Sequence, residues 1–169
     1  MLTLRCAQRA RKRLRLPEQL PQAPASSGAL GDWYVHLVRF GRSEFAIATS
    51  ERCLLTVLLP ARELLTRLVP NLHATLRSLL ERLGVPEEQV GRELASMEPV
   101  SFARATNRGV LGSMNDFVFQ AGHHLARGDD LGTIADRLAH TPMSASGEGR
   151  GHLGFPDMLA HALLAGGVA

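Results

Sequence analysis

The sequence lacks the features that place a protein in or across a membrane. No stretch approaches the run of about eighteen apolar residues that a membrane-spanning helix requires. The N-terminal segment, residues 1–16, reaches its charges after a very short apolar stretch, so it also lacks the hydrophobic region of a signal peptide. We therefore expect a protein of the cytoplasm that has no membrane partner.

Cysteine is scarce, since Cys6 and Cys53 are the only two in the chain. Each falls at an inward-facing position of an apolar segment, where a free thiol behaves as a small hydrophobic group. This usage is typical of a reducing compartment. The adjacent His123 and His124 belong neither to an HExxH string nor to a Cys/His zinc spacing. We expect no metal and no cofactor.

The sequence also lacks the strings that identify common enzymes. It has neither GxxxxGK[ST] nor GxGxxG, which removes the common nucleotide-binding fingerprints. Gly112 and Ser113 followed by Asp116 are similar to the start of a nucleotidyltransferase signature, but the downstream pair of carboxylates that would hold metal ions is missing. Ser113 has no identifiable His and acid partners, which disfavours a serine nucleophile. No reaction follows from motifs alone.

The length and composition predict one folded domain. A chain of 169 residues is long enough for one good core and too short for two ordinary domains. Its 45% hydrophobic and 21% charged residues are ordinary for a globular protein. We place the domain at residues 1–143 and expect residues 144–169 to be a Gly/Ser-rich linker with a weakly structured tail.

Periodicity and turn residues predict an α+β fold. Apolar alternation and β-branched runs predict strands at 2–6, 33–40, 44–49, 53–59 and 100–105. Helical spacing and helix-starting prolines predict helices at 7–16, 61–69, 71–83, 86–97, 107–127 and 131–140. The expected architecture is a small, mostly antiparallel sheet of about four to five strands, including a hairpin over 33–49, packed against several helices.

The clearest pattern in the chain is that of the long helix predicted at 107–127. At about 100° per residue its apolar side chains form one face. These are Val110, Leu111, Met114, Phe117, Val118, Ala121 and Leu125. The opposite side gathers Arg108, Gly112, Asn115, Asp116, Phe119 and His123. Because Phe119 lies on this polar side, we expect the polar side to be covered as well.

Positive charge is concentrated at the N-terminus. Residues 1–16 carry a charge of +6 with no acid, whereas the rest of the chain holds the other 13 of the 19 basic residues and all 16 acids. The six cations are Arg5, Arg9, Arg11, Lys12, Arg13 and Arg15. Such a cluster can neutralise the phosphates of nucleic acid. The alternative is an ordinary solvated helix face, which the lack of interleaved aromatic residues favours.

Two strings are distinctive: LGDWY at 30–34 and NRGVLGSMNDF at 107–117. With the start LTLRC and the basic helix, they resemble a bacterial family of about this length known only as a domain of unknown function. The resemblance spans roughly residues 1–143. Serine is usual in that family at the position of Gly109, and a capping threonine at that of Ala7. The resemblance implies a fold, an order of elements and the location of a site, and it implies no reaction.

The two strings supply the candidate site residues. These are Asp32, Trp33, Tyr34, Asn107, Arg108, Ser113, Asn115 and Asp116. At the start of the long helix, free backbone N–H groups and the guanidinium of Arg108 suit an anion such as phosphate. The alternative is a simple helix cap by Thr106 or Asn107. In that case Arg108 pairs with an acid, either Asp32 or Asp116.

These residues form either a pocket or a structural clamp. In the pocket, Asp32 or Asp116 acts as a base and Arg108 binds an anion, while Tyr34 or Trp33 stacks on a ring of the ligand. In the clamp, the polar groups fasten the long helix to the hairpin by satisfying one another's hydrogen bonds. Both versions predict that Asp116 is buried and bonded, because an unpaired buried carboxylate is costly.

Two functions are compatible with these features. The leading hypothesis is a non-enzymatic binding or regulatory domain whose basic first helix contacts nucleic acid or a protein partner. The alternative is a small enzyme that acts on a phosphate-containing or nucleotide substrate between the two strings. Convergence of the candidate side chains on an open cleft would favour the enzyme, and a dry interface would favour the clamp.

Overall fold

A five-stranded sheet forms the centre of the computed structural model, which describes residues 1–20, 22–144 and 153–166. Its strands are β1 (Leu2–Cys6), β2 (Trp33–Phe40), β3 (Ser43–Ser50), β4 (Thr56–Pro60) and β5 (Val100–Arg104). They lie in the order β4-β3-β2-β1-β5. The hairpin β2–β3 and the pair β3–β4 are antiparallel, whereas β1 is parallel to both β2 and β5. The α+β class is confirmed, and the sheet is mixed because β1 inserts between two parallel neighbours.

In the described part of the chain, six helices surround the sheet. They are α1 (Gln8–Arg13), α2 (Leu64–Arg82), α3 (Glu87–Ser96), α4 (Arg108–Ala126), α5 (Leu131–Ala139) and α6 (Pro156–Leu164). A 3-10 turn, Ala61–Glu63, precedes α2, and the two-residue strands β6 (Met143–Ser144) and β7 (Leu153–Gly154) pair with each other. Most of the Gly/Ser-rich linker predicted after residue 143 lies outside the described residues.

One face of the sheet, called here the first face, packs against α1, α2, α3 and α6. Alternation along the strands directs Leu4, Trp33 and Val35 to this side. Cys6 and Cys53 are buried in the same core, and burial raises the pKa of their thiols to about 12 and about 11. Helix α2 contributes a stripe of leucines at helical spacing: Leu64, Leu68, Leu72, Leu76, Leu79 and Leu80.

Helix α2 replaces the two helices predicted on either side of residue 70. The chain is helical from Leu64 to Arg82, with a break at Arg67, whose φ and ψ are −137° and 21°. Pro70 therefore falls in the first turn after the break, where its missing N–H costs no hydrogen bond. Proline correctly indicated an interruption, but the interruption lies three residues earlier than predicted.

The second face of the sheet packs against α4 and α5. Tyr34, Ile47 and Leu58 point to this side, where they meet the apolar face of α4. Val110, Met114, Phe117 and Ala121 are buried, which confirms the apolar face predicted for the long helix. The expectation that its other face is covered was wrong, because Phe119 is 82% exposed.

Helix α6 lies beyond the domain boundary predicted at residue 143. It packs on the first-face core through Ala160, Leu163 and Leu164, and the Nε2–H of His161 donates to the carbonyl of Leu83 at 2.9 Å. The side chains of this segment thus contribute to the core. The small, Gly-rich composition of the tail concealed this role, because only one turn of α6 carries large apolar side chains facing the core.

A buried carboxylate anchors the loop that leads into β2. Glu93 of α3 is 4% exposed and accepts hydrogen bonds from the backbone N–H groups of Ala29, at 2.7 Å, and Leu30, at 3.2 Å. Gly28 is needed beside it, since a Cβ there would lie 2.5 Å from Glu93 Oε1. Burial raises the pKa of Glu93 above its usual value, although these hydrogen bonds act in the opposite direction.

We expect Glu93 to make the protein less stable as the pH rises from about 4.5 toward neutrality. Because the folded-state pKa is raised, the unfolded state loses its proton first and binds fewer protons across this window. Urea unfolding of the wild type and Glu93→Gln at several pH values should give a stability difference that shifts in favour of the Gln variant as pH rises. Glu88→Gln, which removes one carboxylate at an exposed position of the same helix, is the matched control. A difference that moves the other way would mean that the backbone donors, not burial, control the pKa of Glu93.

Candidate functional site

An ion pair joins β1 to the start of β2. Arg5 Nε donates to Asp32 Oδ2 at 2.5 Å, and Asp32 Oδ1 accepts from the backbone N–H of Ser26 at 2.7 Å. The side chains of Arg5 and Asp32 are 21% and 3% exposed. Burial opposes the charged form of Arg5, but the hydrogen bond and the charge of Asp32 outweigh it, so the pKa of Arg5 is raised.

The partner of Asp32 differs from the one expected. The sequence suggested Arg108. In the parallel pairing of β1 with β2, however, Arg5 lies opposite Tyr34, only two residues after Asp32, and this brings Arg5 within reach of Asp32. Arg108 lies in solvent at the start of α4. Arg5, counted among the cations available to nucleic acid, is already committed to Asp32 and is therefore left out of that surface.

Glu51 links the hairpin to the beginning of α4. Its Oε1 accepts from Tyr34 OH at 3.3 Å and from Asn107 Nδ2 at 3.2 Å. Burial of the ring and the charge of Glu51 raise the pKa of Tyr34, although a hydrogen bond from the Asn107 backbone acts in the opposite direction. Asn107 Oδ1 also caps α4, accepting from the N–H groups of Gly109 at 3.0 Å and Val110 at 3.3 Å.

The structure separates the remaining candidate residues. Trp33 points into the first-face core, on the opposite side of the sheet from Tyr34, as adjacent residues of a strand must. Ser113 is buried within α4 at 8% exposure. Asn115 is exposed on the outer side of the same helix.

The prediction that Asp116 is buried was wrong. Its side chain is exposed, and within the described residues it makes no hydrogen bond or ion pair with Arg108 or with residues 31–34. The inference depended on Phe119 being covered, and Phe119 is exposed instead. This side of α4 is therefore solvated surface rather than the wall of a pocket.

Asp32, Tyr34 and Asn107 come together, with Arg5 and Glu51, as one polar interface. Tyr34 is 1% exposed, so its hydroxyl is turned inward to its partners rather than toward a ligand. Two backbone N–H groups at the start of α4 already donate to Asn107, so fewer free donors remain there for an anion. Chemically, this arrangement holds elements together.

The basic segment has a different character. Along α1, Arg9, Lys12 and Arg13 share the outer face at i, i+3 and i+4 spacing, while Ala10 and Leu14 pack toward the first-face core. Arg9 Nη2 lies 3.5 Å from Glu44 Oε1, a weak and exposed pair. Lys12, Arg13 and Arg15 are exposed, and no ion pair to them occurs among the described residues.

A groove continues this positive surface onto the sheet edge. Arg13 and Arg62 line it together with Glu44 and Phe45, and its volume is about 450 Å³. Arg62 is 82% exposed, and its Nε lies 3.5 Å from Glu63 Oε1, an exposed pair like that of Arg9 and Glu44. The sequence did not single out Arg62, because its proximity to α1 arises only when β4 forms the edge of the sheet.

A family model for a domain of unknown function, DUF6933, matches residues 3–158 of the chain. The chain belongs to this family. No curated protein and no solved structure matches the chain. The DUF6933 match extends past residue 143 into the first residues of α6, in agreement with the packing of that helix on the core.

Two further observations on this DUF6933 chain concern membrane-spanning helices and metal sites. Within residues 1–20, 22–144 and 153–166, no helix is long and apolar enough to cross a membrane. Over the same ranges, no three His, Cys, Asp or Glu side chains gather in a way that could hold a metal ion.

Proposed function

We propose that this protein is a non-enzymatic binding domain that contacts nucleic acid through the exposed cations of α1 and the turn that follows it. The observation that carries the proposal is the exposure of Lys12, Arg13 and Arg15 without acidic partners among the described residues. Together with Arg9 and Arg62 they define the basic surface. Cations that are not engaged within the protein are free to replace the counterions of a phosphate backbone.

The charge distribution supports an orienting role for this surface. The first sixteen residues carry +6 with no acid, while the rest of the chain has more acids than bases. Such asymmetry attracts a polyanion to one end of the molecule and repels it from the remainder. Arginine also donates in a planar fork that matches phosphate, which favours contacts by Arg13 and Arg15.

The test is a comparison of salt-dependent binding to duplex DNA and single-stranded RNA. Contacts to about four phosphates predict that log K falls with log salt concentration at a slope of about −3 to −4. The triple variant Lys12→Glu/Arg13→Glu/Arg15→Glu should weaken binding roughly a hundredfold at low salt. Fluorescence anisotropy between about 50 and about 200 mM salt measures both effects.

A second triple variant controls for net charge. Arg92→Glu/Arg108→Glu/Arg127→Glu reverses three exposed cations, one on α3, one at the start of α4 and one just after α4, so it changes the total charge equally at other places. It should retain most of the affinity. Equal losses in the two variants, or no binding by the wild type at low salt, would overturn the proposal and leave a protein partner as the remaining use of the basic surface.

The alternative of a small enzyme acting on a phosphate-containing or nucleotide substrate receives less support at the predicted place. Asp32 and Tyr34 are buried with their own partners, while Arg108, Asn115 and Asp116 point away into solvent. A base, an anion-binding group and a stacking ring must face a common space to act on one substrate. These side chains do not share one.

A further inference from the structure

The chain leaves β1 and β5 toward opposite faces of the sheet. After β1 it enters α1, whose Ala10 belongs to the first-face core, and after β5 it enters α4, whose Val110 belongs to the second-face core. β1 and β5 are adjacent and parallel, with Cys6 paired to Arg104 at their carboxyl ends. In open sheets, a crevice opens where neighbouring parallel strands diverge in this way, and ligands bind there.

A polar crevice of about 340 Å³ occupies this position. It is bounded by the carboxyl ends of β1 and β5, the start of α1 and Glu18. Two guanidinium groups, Arg11 and Arg104, contribute positive charge, and Glu18 is the one acid that lines the crevice among the described residues. The crevice therefore carries an excess of positive charge.

Arg11 is held in place and retains donor capacity. Its Nη1 donates to the carbonyl of Glu18 at 3.0 Å, which fixes the guanidinium against the loop. Its Nε–H is buried and has no acceptor among the described residues. A buried donor without an acceptor costs about 1 to 3 kcal/mol, so an anion that accepted from it would recover that energy. Arg104 is exposed and makes no ion pair within the part of the chain that the structure describes.

We propose that the crevice between the ends of β1 and β5 binds the terminal phosphate group of a small phosphate ester through Arg11 and Arg104. Two guanidinium groups converging on one space suit a compact dianion with several acceptor oxygens. The volume falls in the range of small-molecule sites. The crevice shares no residue with the basic surface, so this proposal and the proposed function can fail independently.

The probe is inorganic phosphate, which replaces chloride so that the ionic strength stays constant. Binding is followed through the backbone amide chemical shifts of the full chain in NMR spectra. We expect saturable shifts at residues 6–8 and 104–105, with a Kd of about 1 mM or tighter. Arg104→Gln should weaken binding roughly ten- to a hundredfold, the effect of one lost charge-assisted contact. The exposed Arg92→Gln should leave it unchanged. Arg11→Gln provides a second variant on the opposite wall.

Competition identifies the source of the phosphate. A nucleoside monophosphate should displace inorganic phosphate, whereas a dinucleoside monophosphate, which has only a diester, should not. Equal competition by the diester would overturn the proposal and assign the crevice to a nucleic-acid backbone. The proposal would also be overturned by shifts that chloride reproduces, or by binding that the triple reversal of Lys12, Arg13 and Arg15 abolishes and Arg104→Gln does not.

Discussion

Replacing Asp32 with alanine is expected to lower the free energy of unfolding by about 3 kcal/mol, near the lower end of the cost of breaking a buried pair. The side chain is 3% exposed and has two partners, Arg5 and the backbone N–H of Ser26, both of which lose their acceptor. The lower end applies because Arg5 retains some contact with water. For a protein of this size, the melting temperature should fall by about 6 to 12 °C.

Matched variants separate the contributions to this loss. Asp32→Asn keeps an acceptor for Ser26 while removing the charge that pairs with Arg5, so its effect should be smaller than that of alanine. Asp116→Ala, at an exposed carboxylate, should change stability by no more than about 0.5 kcal/mol. Denaturant titration measures all three. Equal effects at positions 32 and 116 would contradict a structural role for the ion pair.

The second large effect is expected in the C-terminal helix. Leu163→Ala combined with Leu164→Ala should lower the free energy of unfolding by about 3 kcal/mol, a modest value for two leucines at the margin of a core. Their exposures are 7% and 6%, and both belong to the first-face core. Removal of their methyl groups leaves space that α3 and the loop at residues 27–29 cannot fully close.

Met158 on the same helix is the appropriate control. It is 64% exposed, so Met158→Ala should alter stability by about 0.5 kcal/mol or less. Urea unfolding followed by circular dichroism provides the comparison. If the double leucine variant were as stable as Met158→Ala, the segment after residue 154 would add little to the stability of the core, in line with the weakly structured tail predicted from the composition.

The order of the helices and strands could be predicted from the sequence, because each element depends on a local pattern of residues. The alternation of Leu2, Leu4 and Cys6 located β1 correctly, and the apolar spacing of α4 identified its buried face. The strands that pair with β1 could not be predicted in this way. Alternation shows which side chains share a face, but it does not show which strand pairs with which, so the insertion of β1 between β2 and β5 was missed.

The polar contacts were harder to predict for the same reason. Asn107 was identified as a cap candidate because capping depends on residue type and position within a few residues. Glu51 and Arg5 enter the site only through strand register, which no short string encodes. Asp116 was misplaced because one exposed aromatic, Phe119, was taken as a sign of burial, although single apolar residues on a surface are common.

The position of β1 affects how the chain reaches its native state. Leu2 pairs with Val100, so one side of β1 is completed only after β5 has been synthesised. At about 5 to 20 residues per second, that interval is on the order of 5 to 20 s. During it, the free edge of β1 and its apolar side chains can pair with other chains. Closure of the sheet therefore comes late and across a long sequence separation, which favours slow folding and makes the rate of translation relevant to the yield of soluble protein.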